Sequence, residues 1–123
     1  MTNRSTPMIK QFVALIKTKP FDTSLEFVEN LAESIVSDLG LKVVKKISHI
    51  FSPTGITLGY ILSQSHLVIH TYPEDGVIHV DLAMCSDRNE REFENSLKHA
   101  LTEYEVYSIE VKTIDFDKLS ALS

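Results

Sequence analysis

The 123-residue sequence predicts an α+β fold: a two-layer α/β sandwich, with a mostly antiparallel sheet and two helices on one face. Three observations carry this. Six short stretches are rich in β-branched residues, and two longer ones repeat apolar residues at helical spacing. The resulting order is βαββββαβ, with no internal linker, repeat or low-complexity segment.

Each element has a local reason. After a polar tail, residues 9–16 are apolar enough for a strand, and 17–21 form a loop around Pro20. A helix is expected over 24–39, where Thr23 and Glu26 have capping-box spacing. Its buried stripe is Leu25, Val28, Leu31, Ala32 and Ile35, and Gly40 is its stop signal. Strands follow over 41–51 and 56–63, joined by the turn Ser52-Pro53-Thr54-Gly55. Next comes a hairpin, with strands at 66–72 and 77–85 around Pro73-Glu74-Asp75-Gly76. Asp87 is expected to cap a second helix over 89–104, with Phe93, Leu97, Ala100, Leu101 and Tyr104 inward. A last strand covers 106–114.

The totals bound the function. A hydrophobic share of 43% with 24% charged residues describes an ordinary globular protein, and the length allows one domain, 1–123. Seventeen acidic against twelve basic residues give a net charge of −5 and leave no cationic stripe, so no nucleic-acid partner is expected. The balance mildly favours a cationic ligand. A single cysteine excludes an internal disulfide and fits a reducing compartment. Residues 1–7 lack the apolar core of a signal peptide, and no apolar run reaches membrane-span length. A cytoplasmic protein without membrane contact is expected.

The segment from Ser63 to Cys85 is the richest in chemistry. It holds two serines, three histidines, several carboxylates and the only cysteine. Side chains alternate across strands, and directly opposed residues of an antiparallel pair share a face. A four-residue loop, 73–76, then sets His70 opposite His79 and Cys85 opposite Gln64. His66, Val68, His70 and Tyr72 share a face with Val77, His79, Asp81, Ala83 and Cys85. Leu67, Ile69, Ile78, Val80, Leu82 and Met84 turn toward the helices. The thiol is thereby placed near the Gln64–Ser65 peptide bond, while parity turns the Ser65 side chain the other way.

Plainer readings apply to several of these groups. His79 and His99 are expected to pair with a neighbouring carboxylate such as Asp81. His66 and His70, four apart on a strand, do not form the helical metal motif, and one cysteine completes no zinc set, so no metal is expected. A Ser–His nucleophile pair would need a glycine elbow and an oxyanion hole, and neither is evident around Ser65. From residue chemistry alone, the reaction stays unspecified.

At these residues the chain resembles the prokaryotic S-adenosylmethionine decarboxylase proenzymes. The resemblance runs from His49-Ile50-Phe51-Ser52-Pro53-Thr54-Gly55 through Gly55-Ile56-Thr57. It continues along Ser63-Gln64-Ser65-His66-Leu67-Val68-Ile69-His70-Thr71-Tyr72-Pro73-Glu74 to Asp81 and Cys85. It implies self-cleavage at Gln64–Ser65 into chains 1–64 and 65–123, with a pyruvoyl cofactor made from Ser65. That group would form a Schiff base with the substrate amine and act as electron sink for decarboxylation. By the same resemblance Cys85 protonates the carbanion and His70 assists processing. Phe51 clamps the adenine and Glu74 holds the ribose. The implied substrate is S-adenosylmethionine, on the route to spermidine, and the implied assembly is a homodimer with facing sheets. A related scaffold could instead decarboxylate ornithine or arginine.

Three positions depart from the family's pattern. Gln64 stands where the family has glutamate, Thr57 where it has a processing serine, and Ser86 where it has glycine after the cysteine. Slowed self-cleavage is the expectation. The competing class is an uncleaved, non-enzymatic relative that binds adenosyl ligands or a partner protein.

Overall fold

A computed structural model describes residues 9–85 and 87–116. The elements run β1 (Lys10–Thr18), α1 (Leu25–Leu39), β2 (Val43–Ile50), β3 (Ile56–Leu62), β4 (Ser65–Tyr72), β5 (Val77–Met84), α2 (Glu90–Ala100) and β6 (Val106–Asp115). A 3₁₀ turn, Pro73–Asp75, joins β4 to β5. The six strands form one sheet in the order β2-β3-β4-β5-β1-β6, and every neighbouring pair is antiparallel. The expected α+β order is therefore the observed one. The first strand is inserted between β5 and β6, so the N-terminal half of the chain is interleaved with the C-terminal half.

Strand alternation builds the core. Phe12, Ala14 and Ile16 of β1, Leu58 and Tyr60 of β3, Leu67 and Ile69 of β4, and Ile78, Val80, Leu82 and Met84 of β5 are all buried. Opposite them lie Val28, Leu31, Ala32 and Ile35 of α1 and Phe93 and Leu97 of α2. The Phe12 and Phe93 rings stack at 5.4 Å and join sheet to helix. Burying each such large side chain contributes about 1.5–3 kcal/mol, so this face holds the two layers together.

The helix ends differ from expectation. Ser24 caps α1, with extended backbone and its hydroxyl accepting from Phe27 N–H at 3.1 Å. Thr23 is displaced from that role by one residue, and its buried hydroxyl has no hydrogen-bond partner among the described residues. Asn89, rather than Asp87, caps α2 through a reciprocal box with Glu92 (2.9 and 3.1 Å). That helix stops at Ala100 because Thr102 donates its hydroxyl to the Lys98 and His99 carbonyls, and Tyr104 N–H closes a turn on Leu101. Tyr104 thus leaves the buried stripe and meets the Phe27 ring edge-on at 4.9 Å.

Two glycines are required by geometry. Gly40 ends α1 in the left-handed region, with its N–H on Ser37 O and Leu41 N–H on Val36 O. Gly76 is left-handed at φ 64°, and a side chain there would collide with the Thr18 carbonyl oxygen. Among the described residues, no helix is long and apolar enough to cross a membrane.

Candidate active site

The sheet register brings the Gln64–Ser65 bond and the Cys85 thiol together. Leu62 pairs with Ser65, which leaves Ser63-Gln64 as a two-residue loop between β3 and β4. His70 pairs with His79 and His66 with Ala83, as a four-residue loop requires. Continued past Met84, that register sets Cys85 beside Gln64. The thiol donates to the Gln64 carbonyl oxygen at 3.5 Å.

Gln64 has φ 62°, the only positive φ outside glycine among the described residues. For a residue with a Cβ this conformation costs roughly 1–2 kcal/mol. The peptide bond that follows therefore leaves a strained residue, and its carbonyl carries a thiol donor. Ser65 Oγ lies 3.3 Å from the Ser63 carbonyl. Parity alone would separate the Ser65 hydroxyl from Cys85. At the end of the sheet both nevertheless line one cleft of about 300 Å³, with Lys42, Ser63 and Arg88.

Thr57 and His70 form a second group. They are paired across β3 and β4, and Thr57 Oγ1 lies 2.8 Å from His70 Nδ1. Burial holds the His70 imidazole below its ordinary pKa, and repulsion from His79, whose ring is 6.0 Å away, adds to this. Asp81 pulls weakly the other way. Phe51 is half exposed at the end of β2, edge-on to His49 at 4.5 Å, and Glu74 is exposed on the 3₁₀ turn.

These two groups occupy opposite ends of the sheet. His70 lies five positions along β4 from Ser65, about 16 Å at the rise of a strand. Gln64, Ser65 and Cys85 thus meet within one chain, whereas Thr57, His70, Phe51 and Glu74 do not reach them. Asp81 also departs from expectation. It accepts from Gln11 Nε2 at 2.9 Å and faces His66 Nε2 at 3.7 Å, while the His79 ring lies tilted 6.0 Å from that of His70. His99 is exposed on α2. Ser86 lies outside the described residues.

Sequence reading missed Arg88 and the backbone conformation of Gln64. The first acquires its place only when the ends of α1 and β5 are packed together. For the second, glutamine carries no left-handed signal of the kind glycine or asparagine does. Among the described residues, no three histidine, cysteine, aspartate or glutamate side chains are grouped as a metal site.

The family model described as S-adenosylmethionine decarboxylase matches residues 19–114. The S-adenosylmethionine decarboxylase proenzyme of Clostridium botulinum (strain Hall) is 38% identical over 61 residues, 50% of this chain and 53% of that protein. The proenzyme of Clostridium kluyveri is 41% identical over 63 residues, 51% of this chain and 50% of that one. The chain spans about half the length of these curated relatives. The crystal structure of the adenosylmethionine decarboxylase from Aquifex aeolicus VF5 superposes with a TM-score of 0.71 at 21% identity. It covers 90% of this chain and 92% of that one, and it shows that the fold is shared.

Proposed function

The chain belongs to the S-adenosylmethionine decarboxylase family, and on that footing we propose that it decarboxylates S-adenosylmethionine after cleaving itself at Gln64–Ser65. The product would supply aminopropyl groups for polyamine synthesis. The observation that carries this reading is the Cys85 thiol, 3.5 Å from the carbonyl of a bond that leaves a left-handed residue.

The residues present fit a pyruvoyl group derived from Ser65. The Ser65 hydroxyl would attack the Gln64 carbonyl as the C–N bond to Ser65 breaks, giving an ester, with the thiol polarising the carbonyl under attack. Elimination of the Gln64 carboxylate and hydrolytic loss of ammonia would then leave the pyruvoyl group on residue 65. Once formed, the pyruvoyl group supplies the electron sink for loss of carbon dioxide. Cys85, in the same cleft, would return a proton to the substrate α-carbon. Lys42 and Arg88 line this cleft with Ser65 and Cys85. Phe51 and Glu74 are read as adenosyl contacts.

Cleavage would not release the halves. Residues 1–64 contribute β1, which lies between β5 and β6 of residues 65–123, and β3 remains paired with β4.

The separation of His70 from Ser65 supports a homodimer. With about 16 Å between them along one strand, His70 serves a processing site only on a second copy. A two-fold pairing of the open sheet faces would bring one end of each sheet to the other end of its partner. Val13, Leu15, Val68 and Val77 lie on that face and are half-buried, while Ile47, Ile61 and Tyr72 are exposed there. We place the protein in the cytoplasm, where its lone thiol stays reduced.

One observation favours a second reading, an uncleaved relative: the Ser65 hydroxyl engages the Ser63 carbonyl. An intact mass spectrum decides. Fragments 1–64 and 65–123, the second blocked by pyruvoyl, support the enzyme. A single 13.9 kDa species after long incubation sinks it. With cleaved protein, carbon dioxide release from carboxyl-labelled S-adenosylmethionine, ornithine and arginine then identifies the substrate.

A further inference from the structure

We propose that Arg88 is a positioning residue for Cys85: its guanidinium, docked on the C-terminal end of α1, sets where the thiol sits over the Gln64–Ser65 bond. This rests on the reading that Cys85 and that bond carry the chemistry.

Three chain segments converge on the cleft: the end of α1 with Leu41 and Lys42, the β3–β4 loop, and the end of β5. Two contacts join them, and a third holds the chain three residues beyond Cys85. Ser63 N–H donates to the Lys42 carbonyl at 2.9 Å, joining the first to the second. Cys85 Sγ donates to Gln64 O, joining the third to the second. Arg88, three residues after Cys85 in the sequence, donates Nε to the Leu39 carbonyl at 3.1 Å.

Cys85 itself is weakly held. The last ladder pairs of β5 are His66 with Ala83 and Lys10 with Met84, so the cysteine lies one residue past the sheet. Downstream, Arg88 ties this stretch to α1, and its Nη1 pairs with Glu92 Oε2 at 2.8 Å on the first turn of α2. Glu92 is fixed in turn by the Asn89 capping box. The last turn of α1 contains no basic residue, so a guanidinium there also meets the negative end of the helix dipole. Gly40 leaves the room: a Cβ at that position would lie 3.3 Å from Arg88 Nη2.

The planar fork matters, because one nitrogen serves α1 while another serves α2. Lysine keeps the charge and loses that geometry.

Cys85 is the only cysteine, so its alkylation by iodoacetamide in the purified chain reports its position directly. Compared at equal thiolate fraction, taken from each variant's pH–rate profile, Arg88→Ala should speed alkylation on the order of tenfold, as the thiol leaves the Gln64 carbonyl. Arg88→Lys should fall between, and methylguanidinium should return Arg88→Ala toward the wild-type rate. In cleaved protein, kcat should drop by a similar factor with KM within about threefold, the pattern of a lost transition-state contact. Folding is checked by circular dichroism. If Arg88→Ala does not fold, Arg88→Lys, which keeps the charge and loses the fork, carries the test and should also speed alkylation. An unchanged or slower rate in folded variants overturns the proposal, and so does a rise in KM at constant kcat. Wild-type protein that never cleaves defeats the proposed function instead, while the alkylation result stands by itself.

Discussion

The strain at Gln64 leads to a prediction with a sign opposite to the usual one. In most folded positions, replacing alanine by glycine destabilises a protein by about 0.4–1 kcal/mol, because the unfolded chain gains freedom. At φ 62° the balance reverses. A Cβ there costs roughly 1–2 kcal/mol, and glycine removes that cost. Gln64→Gly should therefore be more stable than Gln64→Ala by about 0.5–1 kcal/mol. Both substitutions belong on a Ser65→Ala background, so that cleavage does not confuse the reading. For a chain of this size the urea midpoint should move by about 0.5 M. With Ser65 restored, Gln64→Gly should cleave more slowly than Gln64→Ala, by up to about tenfold if some 1.4 kcal/mol of strain is released on the way to the transition state. If the glycine variant unfolds at lower urea than the alanine one, Gln64 is not left-handed in solution and no strain is stored beside the bond.

Other substitutions read other parts of the argument. Ser65→Ala should give a single chain by mass spectrometry with the fold intact by circular dichroism, whereas cleaved wild type should elute as one species from gel filtration. Separation of the fragments without denaturant would contradict the interleaved sheet. Gly76→Ala should cost more than about 2 kcal/mol in thermal or urea unfolding, since both its φ and the Thr18 carbonyl oppose a side chain. Tyr60→Phe loses a 2.6 Å hydrogen bond to the Glu33 carboxylate and should cost about 1–2 kcal/mol by urea denaturation. His70 binds its proton more weakly folded than unfolded, so it stabilises fully above about pH 6.5 and less as pH falls below that value. His70→Asn should flatten the stability profile between pH 7 and 5; an unaltered slope would remove His70 as its source.

Much of this protein was legible in local chemistry. The β-branched runs and the helical stripes specify βαββββαβ because burial periodicity is a property of neighbouring residues. The hairpin register followed from one loop length and the Leu67, Ile69, Ile78, Val80, Leu82 and Met84 face, since a slip of one residue would put all six in water. That register alone set Cys85 beside Gln64. Capping was less legible. Thr23 or Ser24, and Asp87 or Asn89, are chemically near-equivalent, and the choice depends on where the chain turns into the helix.

Tertiary structure decided what depends on separation and on packing. It shows Thr57 and His70 at the far end of β3 and β4 from Ser65, because the eight-residue β4 is too long for its ends to touch. It also draws Ser65 and Cys85, assigned by parity to opposite faces, into one cleft where the sheet ends and alternation no longer governs. Arg88 gains its place only when the ends of α1 and β5 pack side by side. Sequence determined which groups this protein carries and in what order; packing determined which of them meet at the same bond.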